Sequence, residues 1–97
     1  MTFHIKWTPR AEKGLEEVLV YLKEKWTFRE IRQLRNNIQR TIKHISLNPE
    51  LYPSSKKYKD LRKAIVDKNN YLVYRINKQG KTIIIINFRG TKQKIKY

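Results

Sequence analysis

Apolar positions change period along this chain, and the changes mark out its elements. Phe3, Ile5 and Trp7 alternate with Thr2, His4 and Lys6, which predicts a half-buried strand over Thr2–Trp7. Thr8-Pro9 then reads as a helix N-cap followed by proline in the first helical position. From Pro9 to about Trp26 the spacing becomes three and four, with Ala11, Leu15, Val18, Leu19, Leu22 and Trp26 on one stripe. Gly14 interrupts that helix at a cost of about 1 kcal/mol relative to alanine. Thr27 to Glu30 has the form of a capping box. It opens a second helix over roughly Phe28–Ser46, with Ile31, Leu34, Ile38, Ile42 and Ile45 inward. The break between the helices is so short that they must form an antiparallel hairpin, and Asn48-Pro49 closes the second one.

Beyond a loop over Pro49–Lys59, three strand-like segments follow: Leu61–Val66, Tyr71–Ile76 and Thr82–Phe88. A turn at Asp67–Asn70 and another at Gly80 separate them. In the second segment Leu72, Tyr74 and Ile76 share one face, while Tyr71, Val73 and Arg75 share the other. The run Ile83-Ile84-Ile85-Ile86 does not alternate, which predicts a central strand covered on both faces. Gly90–Tyr97 is a basic tail. The order β-α-α-β-β-β predicts an α+β fold in which a helical hairpin packs on one face of a mostly antiparallel four-stranded sheet. The opposite face is left at least partly free. With 97 residues, 39% of them hydrophobic, the chain fits one domain over residues 1–97.

Charge changes the picture. Lys and Arg total 23 against 8 acidic residues, a formal net charge of +15. A field of that size attracts nucleic acid, acidic membranes or an acidic protein, and an acidic partner that masks it is expected. No cysteine is present, so disulfides, Cys-ligated zinc and cysteine nucleophiles are excluded. The two histidines are far apart in sequence and no Gly-rich phosphate loop occurs, so neither a metal nor an organic cofactor is expected. Met1–Thr8 lacks the apolar stretch of a signal peptide, and the longest apolar run, Ile83–Ile86, is too short to span a bilayer. A cytoplasmic protein is the expectation.

An ordered set of residues follows the element order. It comprises Trp7-Thr8-Pro9, Leu19 and Tyr21, Ile45-Ser46-Leu47-Asn48-Pro49, Leu61-Arg62-Lys63, Tyr71-Leu72-Val73-Tyr74-Arg75-Ile76 and Phe88-Arg89-Gly90-Thr91-Lys92-Gln93. Taken together, and over nearly the whole chain, this set resembles the RelE/ParE superfamily of type II toxin–antitoxin toxins. The resemblance implies a growth-inhibiting toxin held in a heteromeric complex by a cognate, often acidic antitoxin. It also implies one of two activities on a shared fold. RelE-like members enter the ribosome and cut mRNA, whereas ParE-like members bind DNA gyrase and are not nucleases.

RNA cleavage by a 2′-hydroxyl needs a base, cations around the crowded phosphate and a proton donor for the leaving oxygen. His4 lies on the first strand and His44 near the end of the second helix, where a histidine commonly faces the helix dipole. Clustered Lys and Arg can take over the chemistry instead. The resemblance implies such a scheme, with Arg62, Lys63, Arg89, Lys92 and Tyr97 as catalytic candidates. Thr91 falls where the family's C-terminal arginine is expected, with Arg89 and Lys92 close on either side, so the match is incomplete there. Lys56, Lys57, Lys59, Lys68, Tyr71 and Arg75 are the nucleic-acid-binding candidates, Tyr71 for base stacking. The plainer alternative is a solvated lysine loop, with Tyr71 packed at the sheet edge and Arg75 in a surface ion pair. The cations of the two helices, among them Arg29, Arg32, Arg35, Arg40 and Lys43, likewise read as a solvated surface or as phosphate grips. Three functions stand open: a ribosome-dependent, metal-independent mRNA endonuclease, a gyrase inhibitor, and a non-toxic relative or plain RNA-binding module.

Overall fold

The computed structural model describes residues 2–25 and 28–90. Its order is β1 (His4–Trp7), α1 (Pro9–Lys25), α2 (Phe28–Leu47), β2 (Leu61–Asp67), β3 (Asn70–Asn77) and β4 (Thr82–Gly90). The proposed capping residue Thr27 and the stripe position Trp26 lie outside the described residues.

The four strands form one sheet in the order β1-β4-β3-β2. β2 and β3 are antiparallel, as are β3 and β4, while β1 runs parallel to β4. The sheet is therefore mixed, with its one parallel pair at the edge. The two-helix connection lies across one face and carries the chain from β1 at one edge of the sheet to β2 at the other.

Helix α1 starts where expected, and the reason is visible at Thr8. Its hydroxyl accepts the Ala11 N–H at 3.2 Å and points its own proton between the carbonyls of Ile85 and Ile86, at 2.8 and 3.1 Å. The Thr8 N–H also donates to the Ile85 carbonyl at 3.1 Å. One residue thus caps the helix and pins its N-terminus to β4. Gly14 is where α1 crosses that strand, and a Cβ there would run into the backbone of Phe88. The glycine that looked like an interruption is what permits the close approach.

The core lies between hairpin and sheet. Ala11 and Val18 of α1, Leu34, Ile38 and Ile45 of α2, and Ala64, Val66, Leu72, Tyr74, Ile83, Ile85 and Phe88 of the sheet are all buried. Phe3, Ile5 and Trp7 pack against them, as the alternation of β1 requires. Three polar residues, Asn37, Thr41 and Ser46, are buried on α2 as well. The Thr41 hydroxyl donates to the Asn37 carbonyl at 2.8 Å, and the Asn37 side-chain oxygen accepts from Arg40 at 2.6 Å.

Both antiparallel pairings contain a bulge. In β4 the register passes from Asn87 opposite Val73 to Ile85 opposite Tyr74, which leaves Ile86 as an extra residue. In consequence Ile83, Ile85 and Phe88 all face the helices, although strict alternation would turn Phe88 away. The four-isoleucine strand is central, between β1 and β3. Helices cover only one of its sides. Ile84 and Ile86 are half-buried on the other, and the run lacks alternation because that open face has an apolar floor.

Candidate functional site

The register fixes what the uncovered face carries. Leu61, Arg75 and Ile84 form one row across β2, β3 and β4, and Lys6 of β1 continues it. Lys63, Val73 and Asn87 form the next, and Ile65, Tyr71 and Arg89 the third. The Lys63 ammonium lies 4.3 Å from the centre of the Tyr71 ring, a cation–π contact. Cross-strand pairing puts Arg89 beside the same tyrosine. Lys63, Tyr71, Arg75 and Arg89 therefore share one face, although they come from three strands.

Arg62 does not join them. It has the parity of Ala64, and its guanidinium donates to the Tyr52 carbonyl at 2.5 Å and approaches the Glu50 carboxylate at 4.0 Å. Lys78 reaches the same carboxylate at 3.4 Å. Nearby, the Tyr74 hydroxyl donates to the Pro49 carbonyl at 2.6 Å. Burial pushes the Tyr74 phenol above its ordinary range, with the Arg62 charge offsetting part of that rise. Arg62 and Tyr74 thus fasten the start of the α2–β2 loop to the sheet.

The rest of that loop runs beside β2. The Ser55 N–H donates to the Leu61 carbonyl at 2.7 Å, and Ser54 bridges to Arg62. The Ser55 hydroxyl oxygen accepts the N–H groups of Lys57 and Tyr58 at 3.2 and 3.1 Å. These bonds raise a bank along the sheet edge. Between bank and sheet lies a groove of about 860 Å³. Its floor holds Leu61, Ile65, Val73 and Ile86; its cations are Arg10, Arg62 and Lys63, its tyrosines Tyr52, Tyr58 and Tyr71, and among the described residues no acidic one lines it. Every charged side chain that lines the groove among the described residues is therefore positive.

The other candidates are dispersed. Lys56, Lys57 and Lys59 are exposed on the loop; none lines the groove, although the Lys57 ammonium lies 5.5 Å from the Tyr58 ring. Lys68 lines a separate hollow of about 250 Å³ between the helices and the β2–β3 turn. His4 and His44 are exposed and line neither space. Lys92 and Tyr97 lie outside the described residues. Sequence reasoning missed Arg10. Its only signal was a position just after the cap, and nothing local says that Thr8 would hook that turn onto β4.

The described part of this architecture is shared by known proteins. A family model described as the ParE toxin of the type II toxin–antitoxin system parDE matches residues 5–95. The chain belongs to the ParE toxin family. Among solved structures, the ParE-family fold seen here is similar to one from the toxin–antitoxin complex RelBE2 of Mycobacterium tuberculosis. The TM-score is 0.67 at 16% identity, over 93% of this chain and 99% of that one. A YoeB/ParE toxin from Agrobacterium tumefaciens gives 0.67 at 14% identity, over 90% and 96%. Escherichia coli toxin RelE, as a double arginine-to-alanine mutant in the free state, gives 0.63 at 13% identity, over 96% and 87%. At such identities the likeness is one of fold. No curated protein matches the sequence. Among the described residues of this toxin no helix is long and apolar enough to cross a membrane.

Proposed function

We propose that this ParE-family toxin is held by an acidic antitoxin in the cytoplasm and, when released, binds and cuts mRNA on the ribosome through its open sheet face. The observation that carries this reading is the groove, in which Lys63 lies against Tyr71 and every charged lining residue is a cation; Arg75 and Arg89 lie outside its lining but on the same sheet face, Arg89 paired across the strands with Tyr71. In such a reaction a 2′-oxygen attacks the neighbouring phosphorus, and the bond from phosphorus to the 5′-oxygen breaks. Charge builds on the phosphate oxygens, where Arg75 and Arg89 offset it. Lys63 takes the proton that the attacking 2′-hydroxyl gives up, and the Tyr71 hydroxyl gives one to the departing 5′-oxygen. Lys92 and Tyr97 complete the set that the superfamily resemblance implies, and Lys56, Lys57, Lys59 and Lys68 add diffuse attraction for RNA.

Inhibition of DNA gyrase is the second reading. Two observations favour it: the family matched is the ParE toxin, and Arg62 is spent on the Tyr52 carbonyl rather than offered to a phosphate. The two readings separate on induction of the toxin without its antitoxin, followed by mapping of mRNA 5′ ends and of gyrase-linked DNA breaks. The nuclease reading expects new mRNA ends that disappear with Lys63→Ala or Arg89→Ala. Intact mRNA together with accumulated DNA breaks would replace it with the gyrase reading.

A further inference from the structure

Arg10 stands on the first turn of α1, some fifty residues away in sequence from Lys63, yet both line the groove. Two features bring it there. Thr8 ties the start of α1 to the carbonyls of Ile85 and Ile86, and the bulge at Ile86 brings Ile86 and Asn87 to the groove beside it. Arg10 is exposed. The ion pairs among the described residues run from Arg62 and Lys78 to Glu50, and none involves Arg10. Loop residues Ser55 and Tyr58 bound the same space from the β2 edge.

We propose that Arg10 is a phosphate-contact residue of the toxin, and that nucleic acid crosses the open face as a single strand between the first helix and the β2 edge. This rests on the reading that the open face binds nucleic acid. The floor between the two sides is apolar, with Leu61, Ile65 and Val73. A duplex buries the faces of its bases and offers such a floor nothing to cover. An unpaired strand brings bare base faces to apolar and tyrosine surfaces while its phosphates meet the flanking cations. Arginine suits this task because its planar fork grips two phosphate oxygens at once.

The test is fluorescence anisotropy of the full chain with a labelled single-stranded RNA, and with a duplex RNA of equal length, across a salt series. Arg10→Gln is expected to weaken single-strand binding roughly tenfold. It also lowers the magnitude of the slope of log affinity against log salt by about 0.7, the share of one phosphate on a single strand. Arg10→Lys keeps the slope, and Arg35→Gln, on an exposed position of α2, changes neither quantity. Wild-type affinity and slope in Arg10→Gln, alongside a loss in Lys63→Gln, would remove Arg10 from the site and leave the site itself standing. No effect from either variant, or no RNA binding by the wild-type chain, would overturn both readings. Tighter binding of the duplex, or an equal loss from Arg35→Gln, would overturn the single-strand path.

Discussion

Replacing Gly14 with alanine tests whether close contact between α1 and β4 holds the fold. Helix propensity alone says that alanine should stabilise α1 by about 1 kcal/mol. The structure reverses the sign. A Cβ on Gly14 would lie 3.2 Å from the Phe88 carbonyl carbon and 3.4 Å from its nitrogen, and closer still to its oxygen. These are backbone atoms of a central strand and cannot rotate aside, so α1 must lift from the sheet. Overpacking of this kind costs about 1–3 kcal/mol. The contact is with backbone, so the upper end applies, and the net loss is about 2 kcal/mol after the propensity gain. For a domain of this size that lowers the Tm by about 8–16 °C. Urea denaturation followed by circular dichroism reads it as a lower midpoint at unchanged slope. A Gly14→Ala chain as stable as the wild type, or more stable, would refute the packing argument.

Two further substitutions probe the loop anchor. Arg62→Ala removes a charge-assisted hydrogen bond to a carbonyl, worth about 1.5–3 kcal/mol. The 4.0 Å pair with Glu50, whose side chain is 60% exposed, adds little. A loss of about 2 kcal/mol in urea is expected, and an unchanged midpoint would free Arg62 for another role. For Tyr74 the sign follows from burial. The unfolded chain ionises this phenol near pH 10.0 and the folded chain only above that. Its contribution is therefore complete below pH 10.0 and is lost as the pH rises through the folded value. Tyr74→Phe should cost about 1 kcal/mol at neutral pH through the Pro49 hydrogen bond. It should also lose less stability than the wild type between neutral and strongly alkaline pH. Parallel alkaline losses in the two chains would contradict the assignment.

Most of the framework was legible in the residues because each element carries its own period. The strand alternation of Phe3, Ile5 and Trp7, the stripe from Leu34 to Ile45 and the parity of Leu72 and Tyr74 all reappear as core. Parallel pairing of β1 with β4 was not legible, since it depends on where the chain returns and not on any local pattern. The site was harder to read. Parity in β3 separated Tyr71 and Arg75 from the core, and adjacency in one strand makes Arg62 and Lys63 face opposite ways, but only the register shows that Lys63 is the one on the face of Tyr71 and Arg75. The bulge at Ile86 shifted β4 by one residue, which no composition reveals. Gly14 read as a cost because propensity is a local quantity and the approach of Phe88 is not. Arg10 stayed invisible because its place is set by the two carbonyls that Thr8 reaches across the fold.

Growth arrest after induction of the chain without an antitoxin, measured for two charge-neutralised variants, tests most directly whether the open face is the working surface. One variant replaces Lys63, Arg75 and Arg89 with glutamine; the other replaces Arg29, Arg32 and Arg35 of α2. Each removes three positive charges, so net charge is matched. Arrest should vanish with the first variant and persist with the second, both being folded by circular dichroism. Arrest retained by the first and lost by the second would place the working surface on the helices and contradict the account.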